Sequence, residues 1–375
     1  MTKVERALIV GGGIAGMSLA ISLQRASIAT EIVELNPDWR VYGAGITITG
    51  PTLRAIDQLG LLERFMTEGH FSDGAVICDP DGNVIMASRI IGQPLGARIP
   101  NAGGILRPVL HRLLAQTTRA SGAVVRCDVT VGGIGQMDDI VAVDFTDGTR
   151  GRFDLVVGAD GIHSRLRSMV FPDAPRPALT GQGCWRAVVP RPAEIDRARV
   201  YVGGPVKAGV VPVSRDEVYL FLLQHVPGNP RMPEAEWPRL LGQQLRGFGG
   251  VLGAIRDGLD ASSRINYRPL ETLLMPPPWH RGRVVLIGDA AHATTPHLAS
   301  GAGLAIEDAL VLAELLKSEP HVEQALVKFT ARRFERCRMV VDNSARLGEL
   351  EMARASPHQQ AELARESMLE LNAPI

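Results

Sequence analysis

Gly11, Gly13 and Gly16 stand as Gly-x-Gly-x-x-Gly directly after the apolar run Ala7 to Val10 and directly before Ile14 to Gln24, whose apolar residues recur at helical spacing. A short, continuous apolar run reads as a strand buried on both faces, the kind found in parallel sheets covered by helices. The first glycine permits the tight turn, the second lets the backbone approach a pyrophosphate, and the third lets helix and strand pack closely. Exposed N–H groups and the positive helix end then attract phosphate. After a break at Ala26, Ser27 and Ile28, a second strand from Thr30 to Glu34 completes a βαβ unit. A carboxylate at Glu34 is placed to accept both hydroxyls of an adenosine ribose and to repel a 2′-phosphate. The unit therefore suits FAD or NAD and not NADP, with Gly11, Gly13, Ala15 and Gly16 at the phosphates. The alternative is a glycine turn that packs on the sheet and holds no ligand.

Phe153 to Val157 and Val284 to Ile287 read as two more buried strands, each running into a Gly-containing turn with an aspartate. Three separated stretches are thus expected to feed one parallel sheet. Between them the texture changes. Ala75 to Met86, Val124 to Phe145 and Trp185 to Gln224 alternate short β-like runs with Gly and Pro turns, which predicts sheets built partly of antiparallel strands. Pro233 to Leu259 reads as helical, and Ile265 to Met275 leads into the stiff connector Pro276 to Pro278. From Ala305 onward the pattern is nearly all helix, and Gln359 to Leu371 reads as a surface or interface helix.

Lys+Arg and Asp+Glu both total 40, so no charge excess argues for a nucleic-acid or anionic-membrane partner. The N-terminus lacks the long apolar stretch of a secretory signal, and no run reaches the roughly 18 apolar residues of a membrane span, so a cytoplasmic location is expected. Cys78, Cys127, Cys184 and Cys337 are scattered without a Cys-x-x-Cys pair, and neither a metal site nor a disulfide framework is indicated.

Two downstream motifs make the first one specific. Asp160-Gly161-Ile-His-Ser164-Arg-Leu-Arg167 follows one buried strand, and Gly288-Asp289-Ala-Ala-His292-Ala-Thr-Thr-Pro296 follows another. With this ordered trio, from Ala7 to about Leu347, the chain resembles the single-component FAD-dependent aromatic hydroxylases, the flavoprotein monooxygenases related to p-hydroxybenzoate hydroxylase. The resemblance implies an α/β (α+β overall) fold. A Rossmann-like FAD-binding domain would comprise 1–72, 98–177 and 271–340, with an inserted mixed β-sheet substrate domain at 73–97 and 178–270 and C-terminal helices at 341–375.

The resemblance also implies that the Asp160 motif contacts both flavin and nicotinamide, the latter in a groove near Asp160 and Arg167. Asp289 would hold the ribityl hydroxyls, as suits a carboxylate after a buried strand. Arg107 would approach the phosphoribityl region, with a surface helix-start cation as the alternative, and Arg40 is a candidate for the adenosine end. The stretch Pro296 to Asp308 would run beneath the isoalloxazine, with Gly301 and Ala302 offering N–H groups and a positive helix end to the pyrimidine edge. The sequence departs here from the commoner Gly-Gln-Gly-x-Asn, carrying Ser300 for Gln and Gly303 for Asn. Thr47 resembles the loop beside flavin and substrate.

The chemistry so implied is reduction of FAD by transiently bound NAD(P)H, reaction with O2 to a flavin C4a-hydroperoxide, and hydroxylation of a phenolic or N-heterocyclic ring. No metal is needed, and the protein would act as a monomer or homodimer. Attack is faster on a phenolate, so a group that ionises the ring or stabilises its anion is expected. Candidates are Arg186, Tyr201, Tyr219, His70 and, preferred slightly, His225 on a pocket-lining strand, with His297 beside the flavin loop. Two other readings stay open: a flavin-dependent reductase or dehydrogenase of an apolar substrate, and a non-catalytic flavin-binding redox sensor.

Overall fold

A computed structural model describes residues 4–41, 43–88, 99–204, 206–228 and 232–375. The three apolar runs do meet in one sheet. Its six strands lie in the order His280–Arg281, Val284–Leu286, Leu155–Gly158, Arg6–Val10, Ala29–Glu34, Val124–Cys127. All neighbours pair in parallel except the outermost, His280–Arg281, which is antiparallel to Val284–Leu286. Two details differ from the sequence reading. The run expected as one strand from Phe153 to Val157 divides between Arg150–Phe153, in a separate three-stranded antiparallel sheet, and Leu155–Gly158. Val124–Cys127, expected among antiparallel strands, instead extends the parallel sheet, where Arg126 reaches across to Glu31 at 2.9 Å.

A seven-stranded sheet lies in the order Arg264–Thr272, Ala178–Pro190, Glu217–His225, Lys207–Pro212, Ala198–Tyr201, Ala75–Cys78, Val84–Ser88. Side chains alternate faces along each strand. Trp185, Ala187, Val218, Leu220, Leu222, Val210 and Tyr201 turn to one face, packed under Leu241, Leu245 and Leu252 of the segment read as helical. Cys184, Arg186, Val188, Tyr219 and Phe221 therefore turn to the other. A small sheet of Gly45–Thr49, Ala102–Leu106 and His70–Ser72 lies against that second face, where Ala44, Val188, Val211, Val213 and Tyr219 form an apolar contact. The boundary drawn at 97/98 lies outside the described residues.

The helix Gly301–Ser318 starts at Gly301, before the Ala305 expected, because its first turn is too rich in glycine and alanine to show an apolar period. It packs across Ile14–Arg25 in the largest apolar core, with the long helix Val322–Met352 behind it. The last helix, Pro357–Leu371, buries Ser367, Met368 and Leu371, and Arg54 and Arg336 donate to its final carbonyls. No helix among the described residues is long and apolar enough to cross a membrane.

Candidate active site

Gly11, Asp160 and Asp289 each follow the C-terminal end of a parallel strand, the edge where sheets of this type bind ligands. At the first turn the missing side chain of Gly16 lets the helix close onto the turn, since a Cβ there would lie 2.0 Å from Gly11 O. A Cβ at Gly13 would meet nothing within 4 Å, so this glycine opens onto free space at the helix start. The helix Ile14–Arg25 has no side-chain cap and no acidic residue in its first turn. Ala15 packs towards Gly288 and so joins the first motif to the third.

Glu34 takes the Gly12 N–H on one oxygen and the Asn36 N–H on the other, both at 2.8 Å, leaving further lone pairs on each. The indole of Trp39 donates to Gly12 O at 2.8 Å. Trp39, which the sequence reading missed, thus holds the carbonyl of Gly12 while Glu34 holds its N–H. Its one sequence signal is a large aromatic soon after the strand carrying Glu34. Arg40 is exposed on the surface beyond this turn.

The Asp160 motif is a brace. Asp160 accepts Ser164 Oγ at 2.5 Å and the N–H groups of Arg165 and Leu166 at 2.9 and 3.2 Å. Arg167 is buried and donates to Ala290 O at 3.0 Å and Ile162 O at 2.7 Å, locking the second motif to the third. Both side chains are thus engaged within the protein, Asp160 by its own motif and Arg167 by the backbone of the second and third motifs.

Asp289 and Arg107 are different. Both are exposed, and neither side chain makes a hydrogen bond or ion pair among the described residues. Arg107 leaves the end of the strand Ala102–Leu106 and runs past Gly43. Its guanidinium ionises less readily than usual, first because the walls beside it withhold part of its water and then because Arg186 adds a like charge, with Asp289 opposing both. Desolvation raises the Asp289 carboxyl against the pull of His292 and Arg107. Arg186, half-buried on the sheet face that meets this region, likewise makes no ion pair among the described residues. Two unpaired guanidiniums at the edge of a low-dielectric wall call for an anionic ligand.

Tyr219 shares that face. Its hydroxyl lies 2.5 Å from Thr47 Oγ1, and its ring occupies the space over Gly45, where a Cβ would lie 2.4 Å from Cδ1. Burial raises the Tyr219 hydroxyl pKa, with Thr47 and the two arginines opposing, so it stays protonated at neutral pH. The structure thus brings Thr47, Arg107, Arg186, Tyr219 and Asp289 together. It separates the rest. His225 ends its strand exposed on the surface and does not line the face. Tyr201 is buried on the opposite, helix-covered side of the sheet. His297 has a fully buried side chain, held between Thr295 at 2.8 Å and Glu351 at 3.3 Å. His70 is occupied by Asp196 O at 2.7 Å and Arg191 at 3.0 Å, so both ring nitrogens are engaged.

Pro296 opens the turn Pro296–Leu298, and the helix Gly301–Ser318 follows with no side-chain cap and no acid in its first turn. Ser300 spends its hydroxyl on Leu298 O at 2.7 Å, which leaves the N–H groups of Gly301 and Ala302 free of side-chain acceptors. Gly303 is small because Thr52 packs there, with Oγ1 only 2.3 Å from where a Cβ would stand. Two uncapped helix ends, a free carboxylate for a polyol and a free guanidinium for phosphate fit the groups of FAD.

Comparison with known proteins agrees. The FAD binding domain family matches residues 4–344. The 2-heptyl-3-hydroxy-4(1H)-quinolone synthase of Pseudomonas aeruginosa is 34% identical over 348 residues, covering 92% of this chain and 88% of that protein. Aurachin C monooxygenase/isomerase of Stigmatella aurantiaca is 32% identical over 352 residues, with the same two coverages of 92% and 88%. The crystal structure of Klebsiella pneumoniae HpxO complexed with FAD and uric acid superposes with a TM-score of 0.84 at 25% identity, covering 97% of this chain and 92% of that one.

Proposed function

The chain belongs to the FAD binding domain family, and from that premise we propose that it is an FAD-dependent monooxygenase that hydroxylates a phenolic or N-heterocyclic ring at the face shared by Arg186, Tyr219 and Thr47. FAD is its cofactor. The observation that carries the reading is the pair of partnerless groups, Asp289 and Arg107, set beside a third, Arg186, on the substrate-facing sheet. Bound FAD, once reduced by a nicotinamide donor, supplies activation of O2 for oxygen transfer. Asp289 would hold the ribityl chain, Arg107 the phosphoribityl region, and Gly11, Gly13, Ala15 and Gly16 the pyrophosphate. Glu34 and Arg40 would lie at the adenosine end, with Pro296, Gly301 and Ala302 along the flavin ring. In this arrangement the parallel sheet belongs to the FAD-binding part, and the seven-stranded sheet forms the substrate part.

Arg186 stabilises the ionised hydroxyl of the substrate, because a cation within about 4–6 Å favours the anion. The ring is then electron-rich when oxygen arrives. Tyr219, held protonated and fixed by Thr47, donates a hydrogen bond from a set position. The quinolone and urate named among the relatives and solved structures support an N-heterocycle bearing an ionisable hydroxyl or lactam.

The test is to load the protein with FAD and follow NADH and NADPH oxidation against phenols, hydroxypyridines and hydroxyquinolines, with product identification. Substrate-stimulated oxidation with an added oxygen atom is expected. Turnover that leaves the substrate unoxygenated overturns the monooxygenase step. Arg186→Gln should lower kcat/KM by roughly tenfold to a hundredfold, the worth of a charged hydrogen bond. Without the cation the substrate hydroxyl pKa rises, so the acid limb of the kcat/KM profile should move to higher pH.

A further inference from the structure

Nothing above accounts for Asp308, a fully buried carboxylate on the helix Gly301–Ser318. Three donors converge on it. Gly288 N–H lies 2.9 Å and His292 Nε2 2.6 Å from Oδ2, and Arg333 Nε lies 2.8 Å from Oδ1. Glu307 extends the row, 2.8 Å from the guanidiniums of both Arg333 and Arg336. Apolar residues of similar volume often replace such buried networks without loss of stability, so stability is a weak reason for one to exist. What it holds is the better guide.

It holds the turn that presents Asp289. Gly288 has φ 58 and ψ −144, a backbone state suited to glycine, and a Cβ there would lie 2.9 Å from Ala15 Cβ. Its N–H is fixed by Asp308, and its carbonyl accepts the N–H groups of Ala291 and His292 at 2.8 and 2.9 Å. Of these contacts, the Gly288 bond fixes the backbone next to Asp289, whereas the His292 bond holds a side chain beyond it. Asp308 also rides on the helix whose first turn bears Gly301 and Ala302, about two turns upstream. One rigid rod thus carries both the free N–H groups and the clamp on the Asp289 turn. His292, Asp308 and Cys337 cluster closely enough to resemble a cation site. Arg333, with Nη2 3.7 Å from Cys337 Sγ, already supplies the positive charge.

We propose that Asp308 is a positioning residue for the cofactor: it fixes the Asp289 carboxylate relative to the N-terminus of the Gly301–Ser318 helix, so that ribityl chain and pyrimidine edge meet one preset frame. The proposal rests on the FAD reading above.

Asp308→Asn tests it. Arg333 can only donate, so it claims the amide oxygen, and the amide NH2 then faces Gly288 N–H, which loses its acceptor. His292→Gln removes the other partner but keeps the Asp308 to Gly288 bond. FAD dissociation constants from flavin fluorescence, the visible flavin spectrum and thermal unfolding of the apoproteins are measured together. Asp308→Asn should weaken FAD binding by roughly tenfold or more and shift the flavin bands, while His292→Gln weakens it by less than about threefold although both variants melt earlier. Parallel losses of affinity and stability in the two variants, or wild-type affinity in Asp308→Asn, overturn the proposal. If Asp308→Asn does not fold, Gly288→Ala displaces the turn with the ionic row intact and should show the same loss of FAD, and unchanged affinity there overturns the proposal equally. A wild-type protein that takes up no FAD would instead sink the FAD reading itself.

Discussion

At Gly303 the chain lacks the asparagine of the commoner motif, and Thr52 on the helix Gly50–Gln58 fills the space that asparagine would need. Thr52 also lies 3.1 Å from Thr49 through the two hydroxyl oxygens, so it has little freedom to withdraw. Gly303→Asn should therefore destabilise the fold by about 1–3 kcal/mol, the usual cost of overpacking, and Thr52→Ala in the same chain should recover part of that loss. Urea denaturation of the two singles and the double gives the coupling, and additive losses would refute the pairing. The sequence marked Gly303 as unusual but offered no partner, because Thr52 comes from a distant helix with no pattern linking the two. Trp39 and Asp308 were invisible for the same reason: each acts through backbone atoms of a loop that only the folded chain brings near.

Elements were more legible than side chains. Buried parallel strands and glycine turns write themselves locally, so the βαβ unit and the two later strand-turn motifs could be read without the fold. A strand's period of two gives the face but not the end, which is why His225 has the parity of Arg186's neighbour Phe221 and still lies outside at the last position. Tyr201 fails on parity itself, since it falls with the helix-covered set. The Gly301–Ser318 helix tests the element directly. Its first turn carries no acid, so Ala302→Asp should interact favourably with the helix end and raise apoprotein stability by about 0.3–1 kcal/mol. In the proposed arrangement the same charge would face the flavin's pyrimidine edge, so FAD affinity should fall. Opposite signs in apoprotein melting and in FAD titration are the expected pair, and a loss in both would show that the helix end is not free to meet a ligand.

Across the whole molecule, one chain of contacts ties the seven-stranded sheet to the turn Pro296–Leu298. Lys207, at the start of a strand in the seven-stranded sheet, lies 2.6 Å from Glu351 on the helix Val322–Met352, and Glu351 lies 3.3 Å from His297. His297 in turn meets Thr295, beside the turn expected under the flavin. Burial alone would raise the Glu351 carboxyl, but Lys207 and His297 outweigh it and bring the pKa down to about 2. Asp308 is likewise drawn to about 2 against its own burial, by His292 and Arg333. A depressed carboxyl stabilises the fold above its unfolded pKa and loses that contribution as pH falls through the folded value. For Glu351 the window runs from about pH 4.5 down to about pH 2, with a magnitude of about 3 kcal/mol. His292 works the other way: its pKa is raised, so its contribution is complete below about pH 6.5 and is lost as pH rises through the folded value. Glu351→Gln removes one acid-labile contribution and leaves the others. The stability gap between wild type and this variant, from urea unfolding at several pH values, should be widest near neutrality and close progressively as pH approaches about 2. A gap that stays constant with pH would mean that Glu351 holds sheet, helix and loop together by shape alone, without its charge.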